Sequence, residues 1–114
     1  MAWFEVDIFQ KCVEVDLHNY STRTALMAAR EKIKEAYEHG FGHVKLIHGA
    51  TNIKNKNVGG SIKFALRAMF KSGELDKWIT KNGSRVREES LILEIRKNSV
   101  AVEREWKEMP LEDY

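Results

Sequence analysis

Residues 13–48 constrain the fold more than any other stretch of the chain. Val13-Glu14-Val15-Asp16-Leu17-His18 alternates apolar and polar side chains strictly, which is the period of a strand with one buried face. Val13, Val15 and Leu17 then share one face, and Glu14, Asp16 and His18 the other. Asn19-Tyr20-Ser21 predicts a turn, with Ser21 as the N-cap of a helix. In that helix, from Thr22 to His39, Ala25, Leu26, Ala29, Ile33, Ala36 and Tyr37 recur at helical spacing. Lys32, Lys34, Glu35 and Glu38 fall on its solvent side, and Gly40 stands where a helix stops. Val44-Lys45-Leu46-Ile47-His48 reads as a second strand ending at Gly49. A strand, a helix and a strand within about 36 residues is the size of a βαβ unit, whose two strands run parallel.

The remaining elements extend this unit. Residues 50–58 form a polar loop rich in lysine and asparagine, and Gly59-Gly60-Ser61 opens a second helix. Ile62, Ala65, Leu66, Met69 and Phe70 make its buried stripe, and Gly73 stops it. Trp78-Ile79-Thr80 predicts a third strand and residues 90–96 a fourth, after a charged turn at 85–89. The expected fold class is α/β: a two-layer sandwich of β-α-β-α-β-β order around a parallel βαβ core. With 114 residues, one core is what the chain can bury. The division is residues 1–12 as an N-terminal edge strand or clasp, 13–98 as the α/β domain, and 99–114 as an acidic C-terminal tail. In the tail, Trp106, Met109 and Leu111 have the spacing to dock once, and Pro110 argues against a helix running to the end. Trp3, Trp78 and Trp106 are assigned to core packing rather than to base stacking.

Several function classes drop out. No apolar run approaches the roughly 18 residues of a membrane span, so no membrane partner is expected. The N-terminal residues have neither the basic start nor the apolar stretch of a secretory signal, and the single cysteine, Cys12, suits a reducing compartment. A cytoplasmic location is therefore expected. No GxGxxG or GxxxxGK[ST] fingerprint points to a nucleotide cofactor. The net charge of +2 conceals segregation: residues 41–87 carry ten Lys or Arg against only Glu74 and Asp76, while acidic residues dominate the rest. Such a surface suits an anionic partner, of which nucleic acid is the commonest.

Ligands of a parallel βαβ unit bind beyond the carboxyl ends of its strands. Three features are predicted there. Asp16 and His18 leave one face of the first strand about 6–7 Å apart. His48 and Gly49 end the second strand, and glycine lets backbone pass close to a ligand. The N-terminus of the second helix, at Gly59-Gly60-Ser61, attracts phosphate, with Lys54, Lys56 and Lys63 nearby in sequence. His39 and His43 read as helix-end and strand-start residues and are assigned no function.

Val15-Asp16-Leu17-His18-Asn19-Tyr20-Ser21 resembles the Leu-Asp-x-His-Gly motif of the Smr (small MutS-related) domain. Val44-Lys45-Leu46-Ile47-His48-Gly49 is similar to that family's His-Gly-x-Gly motif, and Gly60-Ser61-Ile62-Lys63-Phe64-Ala65-Leu66-Arg67 to its glycine-leucine-arginine helix start. Asn19 stands at the glycine of the first motif, where an asparagine accepts a left-handed backbone, and Thr51 at the last glycine of the second. The resemblance spans about residues 13–98 and implies a fold like the C-terminal domain of a bacterial translation initiation factor. It also implies nucleic-acid binding, of DNA or RNA, and endonuclease activity. Asp16, His18 and His48 would be catalytic, and Gly49, Lys54, Lys56, Gly59, Gly60, Ser61, Lys63 and Arg67 would bind nucleic acid. His18 would act as base or acid, with Asp16 positioning it. If RNA is cut through its own 2′-hydroxyl no metal is required; if DNA is cut, a divalent metal such as Mg²⁺ on Asp16 is the cofactor to look for. The alternatives are a non-catalytic nucleic-acid-binding module and a protein-interaction domain whose Trp3-Phe4 end and tail join subunits as a homodimer.

Overall fold

In the computed structural model, which describes residues 3–49 and 59–110 with the side chains of 59–61 excepted, seven elements form. They are β1 (Trp3–Asp7), β2 (Cys12–Asp16), α1 (Thr22–Glu38), β3 (His43–Ile47), α2 (Gly59–Ser72), β4 (Ile79–Val86) and β5 (Ser90–Ile95). The five strands make one mixed sheet of order β1-β2-β3-β5-β4. β2 and β3 pair in parallel, with Val13 opposite Val44 and Asp16 opposite Ile47, and α1 connects them. The β1–β2, β3–β5 and β4–β5 pairs are antiparallel.

The alternation read from the sequence sets the layers. Val13, Val15, Val44, Leu46, Leu91 and Leu93 are almost fully buried and meet Ala25, Ala29, Ile33 and Ala36 of α1 and Ile62, Leu66 and Met69 of α2 in one core. Burying one such Leu or Ile side chain contributes about 1.5–3 kcal/mol. The opposite face, with Glu14, Lys45 and Ile92 only partly buried, is not covered by either helix.

The ends of α1 follow local chemistry. Ser21 is its N-cap, accepting the Thr24 N–H at 3.3 Å. At the other end Gly40 is left-handed (φ 75°), its N–H donating to Tyr37 O at 3.1 Å while Phe41 N–H donates to Ala36 O at 2.9 Å. That pair of bonds satisfies carbonyls the helix leaves open.

Three expectations change. The N-terminal residues that were open between strand and clasp form a strand, β1, hydrogen-bonded to β2. The third strand runs beyond Thr80 to Val86, so Arg85 and Val86 belong to β4 rather than to a turn. The register shifts between Thr80 and Arg85, and β4 is an edge strand, so polar residues at 81–84 interrupt its pattern without ending it. Lys32 and Glu35 are not on the solvent side of α1: they are 1% and 5% exposed. Residues 96–110 form no helix or strand, and this strap lies along that face. The Lys32 ammonium donates to Glu35 Oε1 (2.7 Å) and to the Lys107 carbonyl, and Glu35 Oε2 accepts the Lys107 N–H (2.7 Å). The same ammonium lies 3.9 Å from the centre of the Phe4 ring. Trp106 stacks on His39 with ring centres 4.1 Å apart, and Met109 is buried. Leu111 lies outside the described residues.

Candidate functional site

Parallel pairing brings the carboxyl ends of β2 and β3 side by side, and the Leu17 N–H extends the ladder to Ile47 O at 2.8 Å. β2 ends at Asp16. The chain then turns, Tyr20 N–H closing on Leu17 O at 3.1 Å. This turn, rather than a continuing strand, determines the separation of Asp16 and His18. The His18 N–H donates to Asp16 Oδ1 (3.1 Å), and the ring Nδ1 makes a short hydrogen bond to the same oxygen. The two side chains are in direct contact, not spaced along a strand. Asn19 does not take the left-handed backbone expected of it, since Lys11 alone does so among the described non-glycine residues.

The pair is asymmetric in exposure. The Asp16 side chain is 10% exposed and the His18 ring 47%. A buried carboxylate accepting from Nδ1–H fixes the ring's orientation and its tautomer, leaving the Nε2 lone pair for chemistry. Among the described residues, no hydrogen bond engages that nitrogen. Gly49 is left-handed (φ 85°) and lies close to His18: a Cβ there would stand 3.5 Å from the His18 Cβ. Gly49 and His48 both donate their N–H to Glu89 O at 3.1 Å, tying the β4–β5 turn to the same rim.

His48 continues the alternation of Val44 and Leu46, so its ring goes to the helix side and is fully buried. Its Nδ1–H donates to Gly49 O at 2.7 Å. Burial pushes its pKa down, the nearby Lys63 and Arg67 add to that, and the Gly49 and Ser90 carbonyls oppose it without prevailing. His48 is therefore a buried ring bonded to the Gly49 carbonyl, whereas His18, in contact with Asp16, is half exposed at the rim.

The expected cationic residues divide three ways. Lys63 is buried and its ammonium bonds Glu88 at 3.0 Å, which holds the Glu88 carboxyl below the usual carboxylate range. Lys63 therefore forms an ion pair and is not a free cation. Arg67 donates from Nη2 to Arg87 O at 3.2 Å, and its Nε is buried without a partner among the described residues. Gly59, Gly60 and Ser61 are the first residues of α2 as expected, with Ser61's side chain outside the described residues. Lys54, Lys56 and Thr51 lie outside them altogether.

The sequence reading missed Glu88 and Glu89. It treated 85–89 only as a charged turn, and their place beside His48 depends on β5 pairing with β3, which no local pattern announces. Trp3, expected in the core, is instead 42% exposed and sits directly opposite Asp16 in the β1–β2 register. At Cys12, burial and the Glu14 and Asp7 carboxylates push the thiol pKa up, against a smaller lowering from Lys45. For a divalent cation, the rim offers one carboxylate already bonded to an imidazole. Among the described residues, no group of three or more His, Cys, Asp or Glu side chains is arranged to hold a metal. Nor, among the described residues, is any helix long and apolar enough to cross a membrane.

A family model for the Smr domain matches residues 15–86, from the end of β2 to the end of β4. No curated protein and no solved structure matches the chain.

Proposed function

The chain belongs to the Smr domain family, whose model covers more than half its length, and from that premise we propose that it binds nucleic acid and cleaves phosphodiester bonds through Asp16 and His18. The observation that carries this reading is the buried carboxylate bonded to a half-exposed imidazole at the strand rim, with Nε2 available. A positioned base of this kind contributes about 10²–10⁴-fold to a proton-transfer step.

RNA is the substrate that suits this pair. Nε2 of His18 takes the proton of a 2′-hydroxyl, the 2′ oxygen attacks the adjacent phosphorus, and the bond from phosphorus to the 5′ oxygen breaks. The leaving oxygen acquires a proton from solvent, and the products are a cyclic 2′,3′-phosphate and a 5′-hydroxyl. Asp16 keeps the ring in the productive tautomer and favours the imidazolium that forms. Lys54, Lys56 and the start of α2 at Gly59, Gly60 and Ser61 supply positive potential for the phosphates, joined by Arg67. Lys63 contributes less, because Glu88 neutralises it.

The test is incubation with single-stranded RNA and, separately, with nicked, branched and supercoiled DNA. RNA fragments ending in cyclic phosphate are expected, and an Asp16→Ala, His18→Ala double variant should lose them. Undiminished cleavage by the double variant would sink the assignment. Salt-sensitive binding with no cleavage by the wild-type protein would reduce the domain to a binding module.

A further inference from the structure

Trp3 is the one tryptophan of the three that the core does not absorb. Trp78 and Trp106 pack against the buried cluster, whereas Trp3 is 42% exposed. Strand alternation explains the difference. In β1, Phe4 and Val6 point to the helix side and pack against the core, so Trp3 and Glu5 point to the open face. On that face Trp3 is directly opposite Asp16 across the β1–β2 ladder, and Asp16 is in turn beside Ile47 across the β2–β3 ladder. Residues directly opposite in an antiparallel pair hold their Cβ atoms about 4.5–5.5 Å apart. An exposed indole therefore flanks the carboxylate that orients His18, on a sheet face that neither helix covers.

We infer that Trp3 is a stacking platform for an unpaired nucleobase next to the bond being cut, so that the substrate is a single strand rather than a duplex. This inference rests on the nucleic-acid reading above and names its substrate class. In a duplex, both faces of each base are occupied by its neighbours, and the indole has no base to receive. In a single strand, a base can turn onto it while the adjoining phosphate lies over the Asp16–His18 pair. Any base will do, because each has a π-face, so the contact selects strandedness and not sequence. Positive charge alone does not make this distinction, since it attracts duplex and single strand alike.

The experiment measures binding of the full chain to three probes: a 2′-O-methyl RNA decamer, which lacks the nucleophile and stays intact, an abasic decamer of the same length, and a duplex of the same sequence. Trp3→Leu keeps apolar bulk in β1 but removes the ring; Trp3→Phe keeps a ring. The expected result is a loss of about 5- to 100-fold for Trp3→Leu on the single-stranded decamer, with Trp3→Phe near wild type and no change on the abasic probe or the duplex. The inference is overturned if Trp3→Leu binds the single strand as wild type does, or weakens equally on the abasic probe. A Trp3→Phe variant as weak as Trp3→Leu also overturns it. In these cases wild-type binding leaves the nucleic-acid reading standing. If the wild-type protein binds none of the probes, that reading fails and takes this inference with it.

Discussion

Two pairs of sequence neighbours, Lys32 with Glu35 and Asp16 with His18, each join a carboxylate to a nitrogen, and they are completed in opposite ways. In the first pair both partners are buried, Lys32 also bonds the Lys107 carbonyl, and the second Glu35 oxygen takes the Lys107 N–H. In the second the carboxylate is buried, but the ring is half exposed and, among the described residues, one of its nitrogens has no hydrogen bond. A fully satisfied polar network holds parts of a protein together; an open valence on a fixed ring can act on something else. The same chemistry thus fastens the C-terminal strap at one place and, at the other, orients a ring that stays half exposed.

The largest expected effect separates the two pairs by activity. Replacing His18 with Ala should cut the cleavage rate by about 10²–10⁴-fold with little change in melting temperature, as followed by fragment yield and thermal denaturation. Asp16→Asn should also lose activity, since an amide no longer favours the imidazolium. If both variants unfolded, the contrast would vanish and the rim would be structural.

The next effect runs the other way. Lys32→Met leaves the Glu35 carboxylate buried without its cation and should cost about 3–5 kcal/mol, measured by urea denaturation. A Lys32→Met, Glu35→Leu double variant should recover most of that loss, because neither charge is then stranded. Cleavage per folded molecule should stay at the wild-type level in the double variant.

A smaller effect comes from His48. In the unfolded chain a histidine takes up its proton near pH 6.5, whereas in the fold His48 does so only at lower pH. Between those two values the unfolded state binds the extra proton, so acid favours unfolding. Above the unfolded value both states are neutral and His48 has no influence. Stability should therefore fall as pH drops below about 6.5, with a slope of at most about 1.4 kcal/mol per pH unit from this proton. Melting curves of His48→Gln between pH 7.5 and 5 should show a shallower fall than wild type. The smallest effect is at the other half of the rim: Glu88→Gln releases Lys63 from its partner and should steepen the salt dependence of nucleic-acid binding by about one counterion. An unchanged slope would mean that Lys63 is too deep to meet phosphate.

What could be read from the sequence was local. The alternation of Val13, Val15 and Leu17, the helical stripe from Ala25 to Ala36 and the stop at Gly40 each depend on neighbours within one element, and each recurs in the structure. The Asp16–His18 pair was legible because both residues sit in one short motif. Lys32 and Glu35 looked solvent-facing because what covers them arrives from Lys107, more than 70 residues away. β4 looked too short because an edge strand tolerates polar residues across an irregular register. Trp3 was misassigned for a similar reason: which face an end strand turns outward is decided by its pairing, and no residue near Trp3 states that pairing.

The direction of β1 has one more consequence. This strand begins at Trp3, opposite Asp16, and runs away from the rim toward Asp7. Polypeptide joined ahead of Trp3, whether another domain or a laboratory tag, would be tethered to the end of β1 that pairs with Asp16, at an effective concentration near that rim set by its tether. An appendage rich in lysine would act there as a built-in recruiter of polyanions, and an acidic one as a tethered decoy.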